Sequence, residues 1–171
     1  YYNPSQLVAG KTMSEHFKFA VAYWHTFCGV GADPFGPGTQ NFPWDQSADP
    51  VQAAKDKADA AFEFITKIGF NYFCFHDYDL IQEGPSFLES EKRLSTIVEY
   101  ITSKKKKSGI QLLWGTSNCF SNPRYINGAA TNPNLDVVAR AGGQVKLALD
   151  ATIELAGEYY VFWRGREGYM S

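Results

Sequence analysis

His76 is the residue of this sequence best suited to proton transfer, because carboxylates stand close to it. It follows the apolar run 71–75, and Asp77-Tyr78-Asp79 come directly after it. A carboxylate beside an imidazole fixes the tautomer and orientation of the ring and raises its basicity, as a general acid or base requires. The same pattern suits a histidine that only caps a strand, and residue types alone do not separate the two interpretations. A metal site of the form H-x-x-D has less support, because no further cluster of ligands accompanies it.

Three tryptophans have positions similar to that of His76. Trp24, Trp114 and Trp163 each end a different run of β-branched and aromatic residues. If these runs are neighbouring parallel strands, the indoles gather at one end of the sheet, where they suit an apolar sugar face or a reaction that excludes water. The alternative is that large aromatic side chains merely fill the top of a barrel. The turn-rich segment 31–38 places a further aromatic residue, Phe35, on a long loop.

Four strands and three helices are predicted to position these residues. The predicted strands are Phe17–Trp24, Phe70–Phe75, Ile110–Trp114 and Tyr159–Trp163, and the predicted helices are Pro50–Ile68, Ser86–Lys107 and Asn134–Ala156. Alternation of this kind predicts parallel strands joined by helical crossovers. Neither G-x-G-x-x-G nor G-x-x-x-x-G-K-[ST] occurs, so the pattern favours a barrel over nucleotide-binding α/β folds. In a (β/α) barrel the carboxyl ends of the strands build the active site.

Two glycines interrupt the third predicted helix. Gly142 and Gly143 each cost roughly 1 kcal/mol relative to alanine in a helix interior. Two interpretations stay open: the glycines permit close packing against the sheet, or they mark a break in the helix.

Composition and charge exclude several classes of protein. The chain has 171 residues, is 44% hydrophobic and carries a formal net charge of -2, which favours a folded core over disorder. We expect neither a nucleic-acid partner nor a membrane partner, because the one basic run, 104–107, suits a helix end and no apolar run reaches the roughly 18 residues of a membrane span. Cys28, Cys74 and Cys119 are odd in number and widely spaced, so we expect reduced cytoplasmic thiols rather than a disulfide framework or a zinc site.

Several motifs, occurring in one order along the chain, resemble a single enzyme family. They are Ala22–Phe27, Asp33–Gly36, Cys74–Asp79, Leu113–Asn118, Asn122–Tyr125, Asn127–Pro133, Tyr160–Trp163 and Arg166–Tyr169. Together they resemble the xylose isomerases of the longer-chain bacterial, fungal and plant type, and the resemblance covers essentially the whole chain. It implies a (β/α)8 TIM barrel that interconverts D-xylose and D-xylulose, and also D-glucose and D-fructose. The implied chemistry is opening of the sugar ring, followed by a hydride shift between C2 and C1 assisted by two divalent cations, Mg²⁺, Mn²⁺ or Co²⁺.

The resemblance also implies roles for particular residues. His76 corresponds to the histidine that acts in ring opening, and Asp79 to the carboxylate that orients it. The residues that correspond to the family's substrate-binding positions are Trp24, Phe35, Thr116, Phe120 and Trp163.

The same resemblance implies a homotetramer, because Phe35 corresponds to a loop phenylalanine that reaches into a neighbouring subunit's site. The family's cation ligands and catalytic lysine come from later strands, so no metal ligand is implied within this chain. One residue departs from the family: Arg164 stands where glycine is usual, and an arginine there would strain a backbone of positive φ.

Four strands amount to half of a barrel, since a complete one takes about 250 residues. We therefore interpret residues 1–171 as the N-terminal half of a single barrel domain with both ends cut, and we expect the chain alone to be inactive. The alternative from another class is a non-catalytic half barrel that binds a sugar or a partner chain. A related barrel that acts on a phosphate ester has less support, because it would need other motifs at the strand ends.

Overall fold

Residues 2–163 and 165–168 are described by a computed structural model, and strands alternate with helices along them. The strands are β1 (Ala20–Ala22), β2 (Tyr72–His76), β3 (Gln111–Thr116) and β4 (Tyr159–Tyr160). The α-helices are α1 (Met13–His16), α2 (Tyr23–Phe27), α3 (Pro50–Ile68), α4 (Asp77–Leu80), α5 (Phe87–Ser108) and α6 (Leu135–Glu154). Short 3₁₀ helices cover Pro43–Gln46 and Pro123–Tyr125.

The four strands form one parallel sheet in the order β1-β2-β3-β4. Right-handed crossovers between strands that follow each other in both sequence and space put every crossover helix on the same face of the sheet. Accordingly, α3 packs against α5, and α5 against α6. Doubly wound nucleotide-binding folds instead reverse their strand order at a switch point. The fold is therefore that of the first four βα units of a TIM barrel, as the sequence predicted.

The three long helices begin and end at clear local signals. In α3, Pro50 occupies the first turn, the Asp49 carboxylate accepts the N–H of Val51 (2.9 Å), and Gly69 ends the helix with a φ of 75°. Ser86 caps α5 and Asn134 caps α6 in the same manner. The predicted bounds of all three helices are confirmed to within two residues.

Helix α6 runs without interruption through both glycines, so the helix-break interpretation is wrong. A Cβ on Gly143 would lie 2.8 Å from Cζ of Phe87, whereas a Cβ on Gly142 would meet no heavy atom within 4 Å. Gly143 thus permits close packing, but against the start of α5 rather than against the sheet.

The first predicted strand is wrong in its bounds. Phe17 and Phe19 are exposed and lie outside β1, and Trp24 belongs to α2. The chain turns into a helix here because Tyr23 and Phe27, one helical turn apart, both bury their rings in the core, with centroids 5.1 Å apart. The fourth strand is also shorter than predicted, so Trp163 lies beyond it, although the N–H of Val161 still bonds the Gly115 carbonyl.

A β-bulge in β3 decides which of its side chains reach the far face of the sheet. Phe73 pairs with Leu112 but Cys74 pairs with Trp114, so Leu113 is the extra residue. Leu112 packs in the core between sheet and helices, together with Phe73, Phe75, Ile65, Ile97, Ile101 and Leu155. The bulge moves Trp114 to the opposite face.

Gly115 follows Trp114 on the helix side of the sheet. A Cβ on Gly115 would lie 2.2 Å from Oγ1 of Thr152, so this position has no room for a larger residue. Thr116 then falls on the same face as Trp114.

The three cysteines form no disulfide: Cys74 and Cys119 are buried and Cys28 is half-buried. Within the described part of the chain, none of the helices has the length and apolar character that crossing a bilayer requires.

Candidate active site

A cavity of about 510 Å³ opens beyond the carboxyl ends of the strands. It brings together six of the seven residues to which the resemblance gives a role, namely His76, Asp79, Trp24, Thr116, Phe120 and Trp163. Trp114, which the sequence analysis grouped with Trp24 and Trp163, also lines it, and so do four residues that the sequence did not assign to a site, namely Cys28, Asn118, Ser121 and Val161. The cavity lies where the active site of a (β/α) barrel is built.

The change from β2 to α4 fixes the orientation of His76. Asp79 lies three residues after His76, and its Oδ2 accepts both the His76 backbone N–H (2.7 Å) and the ring Nδ1–H (2.9 Å). An ionised carboxylate only accepts hydrogen bonds, so Nδ1 carries a proton and Nε2 is the ring nitrogen left for a ligand. The structure thus selects Asp79, rather than Asp77, as the partner of the imidazole.

Aromatic rings surround the imidazole of His76. Trp24 lies edge-on at 4.7 Å between ring centroids, and Phe120 lies edge-on at 5.4 Å. Trp114 extends the wall beyond Trp24 (5.5 Å), and Trp163 extends it beyond Phe120 (6.5 Å). The histidine is therefore confined on two sides, and the cavity offers apolar surface next to a proton acceptor.

Two polar residues shape the rim of the cavity on the β3 side. The Thr116 hydroxyl donates to the Val161 carbonyl (2.5 Å) and joins β3 to the segment after β4. Oδ1 of Asn118 accepts the backbone N–H of Ser121 (2.9 Å) and, at longer range, that of Phe120 (3.4 Å). The resulting turn directs Phe120 toward His76.

Asp77 is buried beside this site in a network of its own. Its Oδ1 accepts the N–H groups of Tyr78 (2.9 Å) and Asn118 (2.8 Å), and its Oδ2 accepts Nε2 of Gln144 (2.8 Å). Burial raises the pKa of Asp77 to about 6, although these hydrogen bonds act in the opposite direction.

The sequence analysis did not identify Gln144. A signal was present, because Gln144 shares the buried face of α6 with Ala141, Ala148 and Ala151, and a polar residue at a buried helical position needs a partner.

The chain is similar over its whole length to xylose isomerases. It is 58% identical over 171 residues to the xylose isomerase of Bacteroides thetaiotaomicron, covering 100% of the chain and 39% of that protein. It is 57% identical over 171 residues to the xylose isomerase of Phocaeicola vulgatus, again with 39% of that protein covered. The chain is a relative of the xylose isomerases.

A match of similar strength links it to xylose isomerase 2 of Xanthomonas campestris pv. campestris, at 57% identity over 168 residues, 98% of the chain and 38% of that protein. No family model matches the chain. The chain spans about two-fifths of the length of the curated xylose isomerases it matches, as the N-terminal portion of such a protein would.

Phe35 does not line the cavity. It lies at the tip of a tight turn in which Asp33 and Gly36 exchange backbone hydrogen bonds (3.3 Å each), and Oδ1 of Asp33 accepts the Phe35 N–H (2.8 Å). The phenyl ring is 96% exposed. Within this chain the turn therefore presents Phe35 to solvent.

The segment after Trp163 is held by Glu167. Its carboxylate accepts the backbone N–H groups of Ala129, Ala130 and Thr131 and the Thr131 hydroxyl. Burial alone would raise the pKa of Glu167, but these hydrogen bonds outweigh it and lower the pKa to about 2. Arg164, the departure from the xylose isomerase pattern, lies outside the described residues.

Residues 2–163 and 165–168 contain no group of three His, Cys, Asp or Glu side chains arranged to hold a metal ion. His76 has one carboxylate neighbour, and that carboxylate is already engaged by the imidazole and the backbone. The described cavity therefore does not fit a metal site.

Proposed function

We propose that this chain supplies the ring-opening part of an aldose–ketose isomerase site that interconverts D-xylose and D-xylulose, and also D-glucose and D-fructose. The observation that carries the proposal is the Asp79-bound imidazole of His76, which lines a cavity between aromatic rings. The matched relatives are named xylose isomerase, which supports this substrate class.

Ring opening needs one proton to leave a hydroxyl and one to reach the ring oxygen. Nε2 of His76 takes the proton from O1–H of the cyclic sugar, the O1 electrons form the C1=O1 carbonyl, and the C1–O5 bond breaks. The proton then passes from Nε2 to O5, so the imidazole returns to its starting state. Asp79 keeps the ring oriented and stabilises the transient imidazolium.

The aromatic wall serves the same step. Trp24, Trp114 and Trp163 present flat apolar surface to the C–H face of a sugar, and Phe120 excludes water beside the imidazole. Thr116 and Asn118 supply polar groups at the rim, which suit a polyol with many hydroxyls.

The hydride shift is proposed to depend on residues outside the described chain. Because the cavity does not fit a metal site, we place the ligands of the two divalent cations, Mg²⁺, Mn²⁺ or Co²⁺, elsewhere in the longer protein and derive no step through them. We propose further that residues 1–171 are the N-terminal half of a single barrel domain. The exposed ring of Phe35 supports a homotetramer with this turn at a subunit interface, and the three unpaired cysteines suit a cytoplasmic protein.

The test is turnover of α-D-xylopyranose with Mg²⁺ by a protein of the relatives' length that contains this chain. His76→Asn is expected to lower kcat by about 10²- to 10⁴-fold, the usual contribution of a general acid–base group, with a much smaller effect on KM. His16→Asn is the control, because His16 bonds the Val8 carbonyl and neither residue lines the cavity. A His76→Asn variant with the kcat of the wild type would refute the role of His76.

The chain alone provides the second arm of the test. We expect the purified 171-residue chain to convert no xylose when Mg²⁺ is added, because it carries no described cation site. Measurable conversion would contradict the proposal that the hydride shift depends on residues outside the described chain. If the longer protein binds xylose, seen as a change in tryptophan fluorescence, but converts none, the non-catalytic alternative is favoured.

A further inference from the structure

Asp77 directly follows His76 but does not line the cavity. It is 2% exposed, and both of its carboxylate oxygens are engaged by hydrogen-bond donors. Burial of a carboxylate costs free energy unless its oxygens accept hydrogen bonds, so the burial of Asp77 indicates a structural role.

The bonds of Asp77 and Gln144 converge on one residue, Asn118. The N–H of Asn118 donates to Oδ1 of Asp77 (2.8 Å), and the carbonyl of Asn118 accepts Nε2 of Gln144 (3.0 Å). The same Nε2 bonds Oδ2 of Asp77, while Oε1 of Gln144 accepts the hydroxyl of Tyr125 (2.7 Å). Both backbone groups of Asn118 are thus held by side chains from two other elements.

Asn118 in turn begins the turn that carries Phe120. Its side-chain oxygen accepts the N–H groups of Phe120 and Ser121, which closes the turn over residues 118–121. The Phe120 ring then meets the His76 ring edge-on at 5.4 Å and 76°. A continuous set of bonds therefore leads from Asp77 through the turn to the aromatic neighbour of His76.

We propose that Asp77 is a positioning residue that fixes the 118–121 turn and so holds the Phe120 ring against His76. A carboxylate suits this position because it offers acceptors to three donors at once. An asparagine would turn an amide N–H₂ toward Nε2 of Gln144, where two donors would oppose each other. The inference rests on the proposed function only for the catalytic role of His76. The hydrogen bonds that connect Asp77 to Phe120 do not depend on that role.

The test uses the aromatic and histidine ring resonances of the 171-residue chain, which contains three histidines. In the wild type we expect cross-relaxation between the ring protons of His76 and Phe120, with His16 as the internal reference. Asp77→Asn is expected to remove this cross-peak and to shift the ring resonances of His76 while those of His16 stay unchanged. Asp136→Asn makes the same chemical change on the exposed first turn of α6 and should leave all of them unchanged.

A folded Asp77→Asn chain that keeps the cross-peak and the wild-type shift would overturn the proposal. If Asp77→Asn does not fold, Gln144→Met decides the question, because it retains the two backbone donors to Asp77 while it removes the link between Asp77 and the Asn118 carbonyl, together with the bond from the Tyr125 hydroxyl. It is expected to weaken the cross-peak, and an unchanged cross-peak would overturn the proposal equally.

A positioning role also predicts a specific kinetic effect in a protein of the relatives' length. Asp77→Asn should lower kcat on the cyclic sugar while KM stays close to that of the wild type, and a loss confined to KM would contradict the proposal. If the ring contact is lost as expected but the wild-type protein turns over no sugar, the positioning role stands and the proposed function fails.

Discussion

Removal of the Asp79 carboxylate should change the tautomer of His76. In the structure Oδ2 of Asp79 accepts the Nδ1–H at 2.9 Å, a charge-assisted bond. Such bonds contribute about 1.5–3 kcal/mol, which corresponds to a factor of about 10–150 in the ratio of the two neutral tautomers. Asp79→Ala removes that preference, so we expect the Nδ1–H form to lose its dominance and Nε2 to carry a proton in much of the population.

The same substitution should also lower stability. The His76 backbone N–H donates to the same carboxylate oxygen at 2.7 Å, and an unsatisfied buried donor costs about 1–3 kcal/mol. Asp79→Asn is the matched control, because an amide oxygen accepts both N–H groups without the charge. It should retain the wild-type tautomer and most of the stability.

Long-range proton–nitrogen correlations of the neutral ring report the tautomer directly, and urea unfolding reports the free energy. In a protein of the relatives' length, the change of tautomer alone should lower turnover of the cyclic sugar roughly twofold if the two tautomers become equal, since Nε2 is then blocked by a proton in half of the rings. An Asp79→Ala variant in which Nδ1 remains the protonated nitrogen would refute the reasoning, whatever its activity.

Three further predictions concern parts of the chain outside this pair. Gly142→Ala should raise the free energy of unfolding by about 0.5–1 kcal/mol. The free energy of unfolding of Gly143→Ala should be about 1–3 kcal/mol lower than that of Gly142→Ala, because the added Cβ displaces Phe87. Equal values for the two variants in urea unfolding would contradict the packing argument. The pKa of Glu167 is lowered, so its contribution to stability is present above the ordinary glutamate value and is lost as pH falls toward about 2. Glu167→Gln should therefore flatten the acid limb of a pH–stability curve by an amount on the order of 1 kcal/mol, reduced by solvent screening, and an unaltered limb would count against the role of Glu167. Phe35→Ala should change chain stability by less than about 0.5 kcal/mol because the ring is 96% exposed, yet weaken subunit association in a protein of the relatives' length; sedimentation that shows unchanged association would refute the proposed interface.

The long elements could be predicted from sequence because local signals and periodicity agree. Helix α3 has an aspartate cap, a proline in its first turn and a glycine stop, and its bounds are Pro50–Ile68 as predicted. The first strand could not be predicted in the same manner. The residues around Tyr23 have high strand propensity. A helix forms there because Tyr23 is buried against Phe73, which is distant in sequence, and Phe27 is buried beside Tyr23.

The residues of the candidate site could be predicted from sequence better than the hydrogen bonds and contacts between them. The positions of His76 and the tryptophans at strand ends were visible in the sequence, but the choice of Asp79 over Asp77 depends on the start of α4 directly after β2. Trp114 lines the cavity because of the bulge at Leu113, and no residue pattern predicts that bulge. The role of Gln144 could not be predicted, because it depends on a contact between α6 and the loop after β3.

The sequential strand order has a consequence for how the protein is made. Each strand pairs with the strand that precedes it along the chain, so every pairing can form as soon as one more βα unit has left the ribosome. The loops closed by pairing consecutive strands are shorter than those in a sheet whose spatial strand order differs from the sequence order. The entropic cost of forming each strand pair is therefore lower. The His76 ring can thus be enclosed by Trp24 and Phe120 while synthesis continues, and the segment that carries Trp163 would then fold against an aromatic wall that is already in place.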